Sequence, residues 1–239
     1  MATFKIYGSP YRRLTLPRIV RLPSSISASP SSSPSASGAS GNSFSETFTY
    51  SNGGLQSVSS GLWTDAVGTP TVASGRLLIN ALNETARVET SLTRGFYVQF
   101  DMQQPANTGP ATYTSCGIVV SSSSTLSQSG EYGVFVEMGT DEGEIQYNGI
   151  VYAKNGVVVS GSNAGTYSTS SRTVRVEFYG TTGNGDSNDI VVKLSGSEVY
   201  RVNNESAHTE FNYLWFRMSS TPDGSSTDVY IDNVTVGSL

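Results

Sequence analysis

The side chains able to do acid–base or metal chemistry are few and widely spread. Cleaving a glycosidic bond needs a proton donor and a second carboxylate about 5–10 Å apart. The stretch DEGEIQ comes nearest, with Glu142, Glu144 and Gln146 alternating onto one strand face. That row ends in an amide, and Asp141 to Glu144 read better as a charged hairpin turn. His208 lies in the polar stretch ESAHTEF with no nucleophile beside it, so the sequence holds no legible Ser–His or Cys–His pair. No catalytic residue is assigned, and the chain is read as a non-enzyme.

Metal chemistry is equally thin. Cys116 is the one cysteine, so there is neither a disulfide framework nor a thiolate cluster, and its place in a strand predicts a small buried side chain. NGDSND, residues 184–189, offers oxygen ligands at alternate positions. Asp189 nevertheless stands where an EF-hand loop needs glycine, and Ser195 where it needs a bidentate glutamate, so a hairpin turn is the reading. No cofactor is expected.

Binding chemistry is better represented. The outward parities of three strands collect Tyr97, Gln99, Asp101, Arg175, Glu177, Tyr179, Tyr213, Trp215 and Arg217. Aromatic rings with amides and charges nearby suit a glycan. Aromatics and arginine are also what protein interfaces favour, and the interface is weighed above the sugar. Trp215 in NYLWFRM is expected outside the core, where another copy or a scaffold would cover it.

These residues must be positioned by strands. GFYVQFDM puts Phe96, Val98, Phe100 and Met102 on one face. RTVRVEFY does the same with Val174, Val176 and Phe178, and GEYGVFVEM with Tyr132, Val134, Val136 and Met138. NDIVVKL aligns Ile190, Val192 and Leu194, and NYLWFRM aligns Leu214, Phe216 and Met218. Period-two alternation of this kind predicts half-buried strands in two antiparallel sheets packed face to face. SNGG, Asn148-Gly149, Asn155-Gly156 and TTGNGDSN read as the turns between them. The expected class is all-β, a two-sheet antiparallel jelly-roll sandwich of twelve to fourteen strands over residues 44–239. In the last strand Val229 and Ile231 have one parity, Val234 and Val236 the other. A bulge at Asp232-Asn233 would return all four to the core.

The first 43 residues are of another kind. Residues 1–23 hold five of the chain's 14 basic residues and no acidic one, leaving a net charge of -10 on the remainder. Lys5, Arg12, Arg13, Arg18 and Arg21 are interleaved with Leu14, Leu16, Ile19 and Leu22. Such an arm offers both cationic and apolar contacts to a partner of opposite charge. The aliphatic content argues against a nucleic-acid tail, and no apolar run is long enough to span a membrane. Residues 24–43 contain eleven serines and only Ile26 as a sizeable apolar side chain, which makes them an extended Ser/Pro/Gly-rich linker.

FSETFTYSNGGLQSVSSGLWTDAVGTPTVASGRLLIN resembles the opening of the concanavalin A-like lectin/glucanase jelly rolls, with its Gly-Leu turn, Trp63 and Gly-Arg-Leu strand. DVYIDNVTV resembles their closing strand. The resemblance implies a sandwich in which Trp63 packs at one end. It also leaves open a structural calcium between the first and last strands, with Glu46 and Asp232 as its ligands. The glucanases of that fold carry Glu, Asp and Glu on one strand face, a set that DEGEIQ does not reproduce. The arm, tether and head together resemble in organisation the accessory virion proteins of tailed bacteriophages. On that basis the expected function is a non-enzymatic structural virion protein, a capsid decoration, cement or fibre. Its expected partners are the major capsid protein and further copies of itself, and its location the virion, or else outside the cell or at its surface. A carbohydrate-binding adhesion module is the alternative and a glycan hydrolase the second.

Overall fold

A computed structural model describes residues 42–104, 112–126, 131–141, 145–164, 169–180, 188–205, 208–220 and 228–239. The arm residues Lys5, Arg12, Arg13, Leu14, Leu16, Arg18, Ile19, Arg21 and Leu22, and the linker, lie outside them. The strands run in chain order as β1 (Phe44–Glu46), β2 (Gly53–Gly54), β3 (Trp63–Val67), β4 (Thr71–Ala73), β5 (Arg76–Ile79), β6 (Thr85–Thr93), β7 (Phe96–Gln103) and β8 (Thr112–Ser121). They continue as β9 (Glu131–Asp141), β10 (Ile145–Lys154), β11 (Val157–Asn163), β12 (Arg172–Phe178), β13 (Ile190–Leu194), β14 (Ser197–Val202), β15 (Glu210–Ser220) and β16 (Val229–Ser238). A four-residue helix, α1 (Leu55–Val58), interrupts them. Its single turn has no 3.6-residue pattern to reveal it, and it buries only Leu55.

Two antiparallel sheets form an all-β jelly-roll sandwich. One has nine strands in the order β14-β13-β12-β7-β16-β5-β4-β2, with β1 also paired to β16. The other has seven, β11-β10-β9-β8-β15-β6-β3. The alternation read from the sequence is what fills the space between them: Phe96, Val98, Phe100 and Met102 of β7 and Val174, Val176 and Phe178 of β12 are buried. From the other sheet come Tyr132, Val134 and Val136 of β9 and Leu214, Phe216 and Met218 of β15. Phe100 meets Phe216 edge to face at 5.1 Å, an arrangement aromatic quadrupoles prefer. Cys116 is fully buried in the same core, and burial pushes its thiol up to about 12. The side chain of Met138 lies outside the described residues.

The closing strand solves its parity conflict as anticipated. Pairing of β16 with β7 shifts register between Asp232 and Thr235, Asn233 takes a positive φ of 49°, and Val229, Ile231, Val234 and Val236 are all buried. The first half of β16 pairs with β5 and the second half with β1, so the opening strand is clamped to the last. Two turn assignments separate. Asn155-Gly156, at φ 52° and 76°, makes the tight β10–β11 turn. Asn148-Gly149 does not turn at all: it lies within β10, where Asn148 pairs with Met138 and Gly149 with Glu137. Among the described residues sixteen strands replace the expected twelve to fourteen, because short pieces such as β2 and β4 are too brief to show alternation.

Candidate functional site

The residues grouped as one outward face belong to two. Tyr97, Gln99 and Asp101 lie on β7, and Arg175 and Tyr179 on or beside β12, in the nine-stranded sheet. Tyr213, Trp215 and Arg217 lie on β15 in the seven-stranded sheet, on the opposite side of the core. Parity tells inside from outside but not which sheet a strand joins.

On the nine-stranded side the polar groups satisfy one another. Arg175 stacks over the Tyr97 ring at 3.5 Å and donates through Nε to Glu177 at 2.7 Å. Lys193 Nζ and the Tyr179 hydroxyl donate to the same carboxylate, both at 2.9 Å. Burial works to raise the Glu177 pKa, but the hydrogen bonds from Arg175, Lys193 and Tyr179 outweigh it and hold the group below the usual range. Asp101 accepts from the Thr173 hydroxyl and the Asn233 amide. This face is a closed network of charges.

The seven-stranded side is built differently. Strand register sets up one row of Val151, Phe135, Gly117, Arg217 and Thr85, and a second of Ala153, Gly133, Val119, Trp215 and Arg87. A Cβ at Gly117 would run into the Val134 carbonyl oxygen, and one at Gly133 into the Phe135 ring, so the sequence leaves both positions bare. Phe135 thereby lies down over Gly133, and with Val119, Ala153 and Trp215 it forms a small apolar cluster outside the main core. Leu126 packs on this cluster, and Arg87 spans it, reaching over the Trp215 ring at 5.3 Å to donate to the Ser124 carbonyl at 2.8 Å. Trp215 has the outward parity expected of it, yet only 2% of it is exposed. Its ring meets Tyr213 and Arg87 and packs in the chain's own cluster of Val119, Phe135 and Ala153, so it is neither an open sugar platform nor the exposed anchor of an interface.

Beside this cluster lies a cleft of about 370 Å³, lined by Glu131, Phe135 and Glu137 of β9, Val151 and Ala153 of β10, and by Ser115, Gly156, Val158, Arg217 and Ser219. The β10–β11 turn closes one side, where Asn155 donates its backbone N–H to the Glu131 carbonyl at 3.0 Å. Ser219 Oγ bonds to Ser115 Oγ at 2.8 Å on the other side. Arg217 gives Nη2 to Asn83 at 3.0 Å, and its Nε is buried without a hydrogen-bond partner. Glu137 is half-buried, has no hydrogen bond or ion pair among the described residues, and is held above the ordinary carboxylate range by burial. A carboxyl of this kind can keep its proton and give it away.

Of the residues singled out from sequence, only Arg217 lines the cleft. The signal for Glu131 and Glu137 lies in the outward set of GEYGVFVEM, Glu131, Gly133, Phe135 and Glu137, rather than in the inward residues that define the strand. Glu142 and Glu144 lie outside the described residues, in the connection after the Asp141–Ile145 pair that ends the β9–β10 ladder. His208 sits in a loop as expected, its N–H bonded to the Tyr132 hydroxyl. Trp63 is a packing residue, fully buried against Phe44, Phe48 and Phe216. The carboxylate of Glu46 accepts from the backbone of Thr47 and Phe48, from the Tyr50 hydroxyl and from Trp63 Nε1. Its acceptor sites are thus engaged by protein donors that a calcium ion would have to displace. Asp232 accepts from the Asn233 N–H, and no group of three or more His, Cys, Asp or Glu among the described residues is arranged to hold a metal.

No family model matches the sequence, and no curated protein does. Solved structures do match. A variant of the alginate lyase Aly36B in complex with alginate tetrasaccharide superposes with a TM-score of 0.59 at 11% identity, over 83% of this chain and 97% of that one. A Bacillus licheniformis β-glucanase gives 0.56 at 14% identity, over 83% and 99%. The carbohydrate recognition domain of Emp47p gives 0.51 at 10%, over 74% and 88%. The fold is that of the concanavalin A-like lectins and glucanases. These neighbours correct two expectations, that of a non-enzymatic virion structural protein and that of no enzyme. The structures this chain is similar to include glycan-degrading enzymes, and its own β9 carries in the cleft an acid, Glu137, with no partner among the described residues.

Proposed function

We propose that the domain binds a polysaccharide along the β9 cleft and hydrolyses it, with Glu137 as the proton donor. The observation that carries this is the state of Glu137: a half-buried carboxyl without a partner and with a raised pKa, facing a cleft beside the Phe135 ring and the Arg217 guanidinium. In that role the Glu137 proton passes to the glycosidic oxygen as its bond to the anomeric carbon breaks; a water molecule then adds its hydroxyl to that carbon and its proton restores the acid. Hydrolysis also needs a second carboxylate about 5–10 Å away. Glu131, six residues along the same face, is about 20 Å off by strand rise and does not meet that distance.

The test is release of reducing ends from a panel of neutral and acidic polysaccharides by the full chain. Glu137→Gln should lower release by about 10²-fold or more while polysaccharide binding persists, the usual scale for losing a general acid. Asp141→Asn, Glu142→Gln and Glu144→Gln in the same assay test whether the second carboxylate comes from the acidic stretch that follows Glu137. Absence of release by the wild type, or release unchanged in Glu137→Gln, would refute the proposal.

A further inference from the structure

The cleft has two unlike walls. Toward β10 and β11 it is apolar, formed by Val151, Ala153 and Val158 with the Phe135 ring; toward β8 and β15 it is polar, formed by Ser115, Ser219 and Arg217. Val158 faces the cleft yet is 67% exposed, and its neighbours Val157 and Val159 are 66% and 57% exposed. An apolar wall left this open gains by covering something apolar, at about 25 cal/mol per Å². Across the cleft, Arg217 has used only Nη2, on Asn83, and no ion pair joins it to Glu137. From β10 to β15 is three strand steps, about 14 Å between backbones. Less the side chains, that leaves room for one sugar ring with a short substituent.

We infer that the cleft is specific for an N-acetylated hexosamine unit. The acetyl methyl lies on the Val151–Val158 wall, and the ring hydroxyls point to Ser219, Arg217 and Glu137. An acetamido group carries its methyl two bonds beyond the ring substituent atom, which lets it cross from the polar side to the valines, whereas the methyl of a 6-deoxy sugar sits on the ring itself. This inference rests on the proposal that the cleft is the saccharide site.

Binding of triacetylchitotriose, cellotriose and an alginate trisaccharide to the full chain by titration calorimetry tests it. The acetylated trimer should bind about tenfold more tightly than cellotriose, the scale of one buried methyl and its contacts. Val158→Ser should reduce that ratio to below about threefold. A melting curve matching the wild type would show that this exposed position does not affect folding. Equal affinity for the acetylated trimer and cellotriose would overturn the acetyl specificity and leave the cleft a sugar site. Tighter binding of the alginate trisaccharide would overturn it in favour of an acidic glycan. Failure of all three to bind would overturn it together with the glycan reading.

Discussion

On the outer face of the nine-stranded sheet, Glu177 collects an arginine, a lysine and a tyrosine and is held below its ordinary pKa. On the outer face of the seven-stranded sheet, Glu137 collects no partner among the described residues and is held above its ordinary pKa. Both are strand glutamates of outward parity. The difference lies in their cross-strand neighbours. Glu177 faces Tyr97 on one side and Val191 on the other, with Arg175 and Lys193 one position along the face. Glu137 faces Ser115 and Gly149. A carboxylate ringed by cations is structural furniture, while one ringed by small neutral residues is left with its proton and room beside it. The same contrast holds for nitrogen. Trp215 Nε1, Arg87 Nε and Arg217 Nε are buried without hydrogen-bond partners on the seven-stranded side, whereas the charges of the Glu177 network are engaged.

The sharpest way to break this comparison is Trp215→Ala. It removes the largest member of the outer cluster and should cost about 3–5 kcal/mol in denaturant unfolding, the range for a buried aromatic. A loss under about 1 kcal/mol would mean that the ring is not packed into the outer cluster. Next comes Glu177→Gln, which leaves Arg175 and Lys193 facing a neutral amide. Allowing for the partial exposure of both cations, about 1–2 kcal/mol is expected, or about 2–8 °C in melting temperature for a domain of this size. Hydrolytic activity should be untouched.

The two glutamates should also bend the stability–pH curve in opposite senses. The lowered Glu177 pKa gives stability that is present above the unfolded value near 4.3 and lost as pH falls through the folded one. The raised Glu137 pKa gives stability that is present below about 4.3 and lost as pH rises through its folded value. Melting series from pH 3 to 7 should therefore show Glu177→Gln flattening the acid-side rise, and Glu137→Gln removing a decline on going toward neutrality. Identical curves for the two variants would erase the contrast. The smallest effect belongs to Tyr97→Ala. It uncovers Gly237, whose surface the ring shields, and removes the stack with Arg175; about 1 kcal/mol of stability and no change in glycan binding are expected.

Much of the sandwich was legible because a core between two sheets imposes a strict period of two. The inward sets of β7, β12, β13 and β15 follow from spacing alone, and so does the bulge that lets Val234 and Val236 rejoin Val229 and Ile231. The site was less legible. Nothing in the spacing of Tyr97 and Trp215 says that their strands join different sheets, since that choice is made by pairings far apart in sequence. Nor does NYLWFRM reveal that Leu126 and Arg87 roof the indole. The outward half of β9 was readable in principle: two glycines and a phenylalanine at alternating positions across β8 and β9 mark a place where side chains are removed and a ring is laid flat. DEGEIQ is the more conspicuous acidic stretch, yet of its acids only Asp141 falls in a described strand, at the end of the β9–β10 ladder.

One wall of the cleft stands on β11, which has a hydrogen-bonded strand partner on one side only and is joined to β10 by the Asn155-Gly156 turn. Val157, Val158 and Val159 bury little, so replacing them takes little from the core that holds the sheets together. The acid sits elsewhere, on β9 in the middle of the ladder. On the proposed reading, selectivity and chemistry are mounted on separate parts, and descendants of this chain could change the sugars they accept by editing one exposed hairpin while Glu137 and the fold stay as they are.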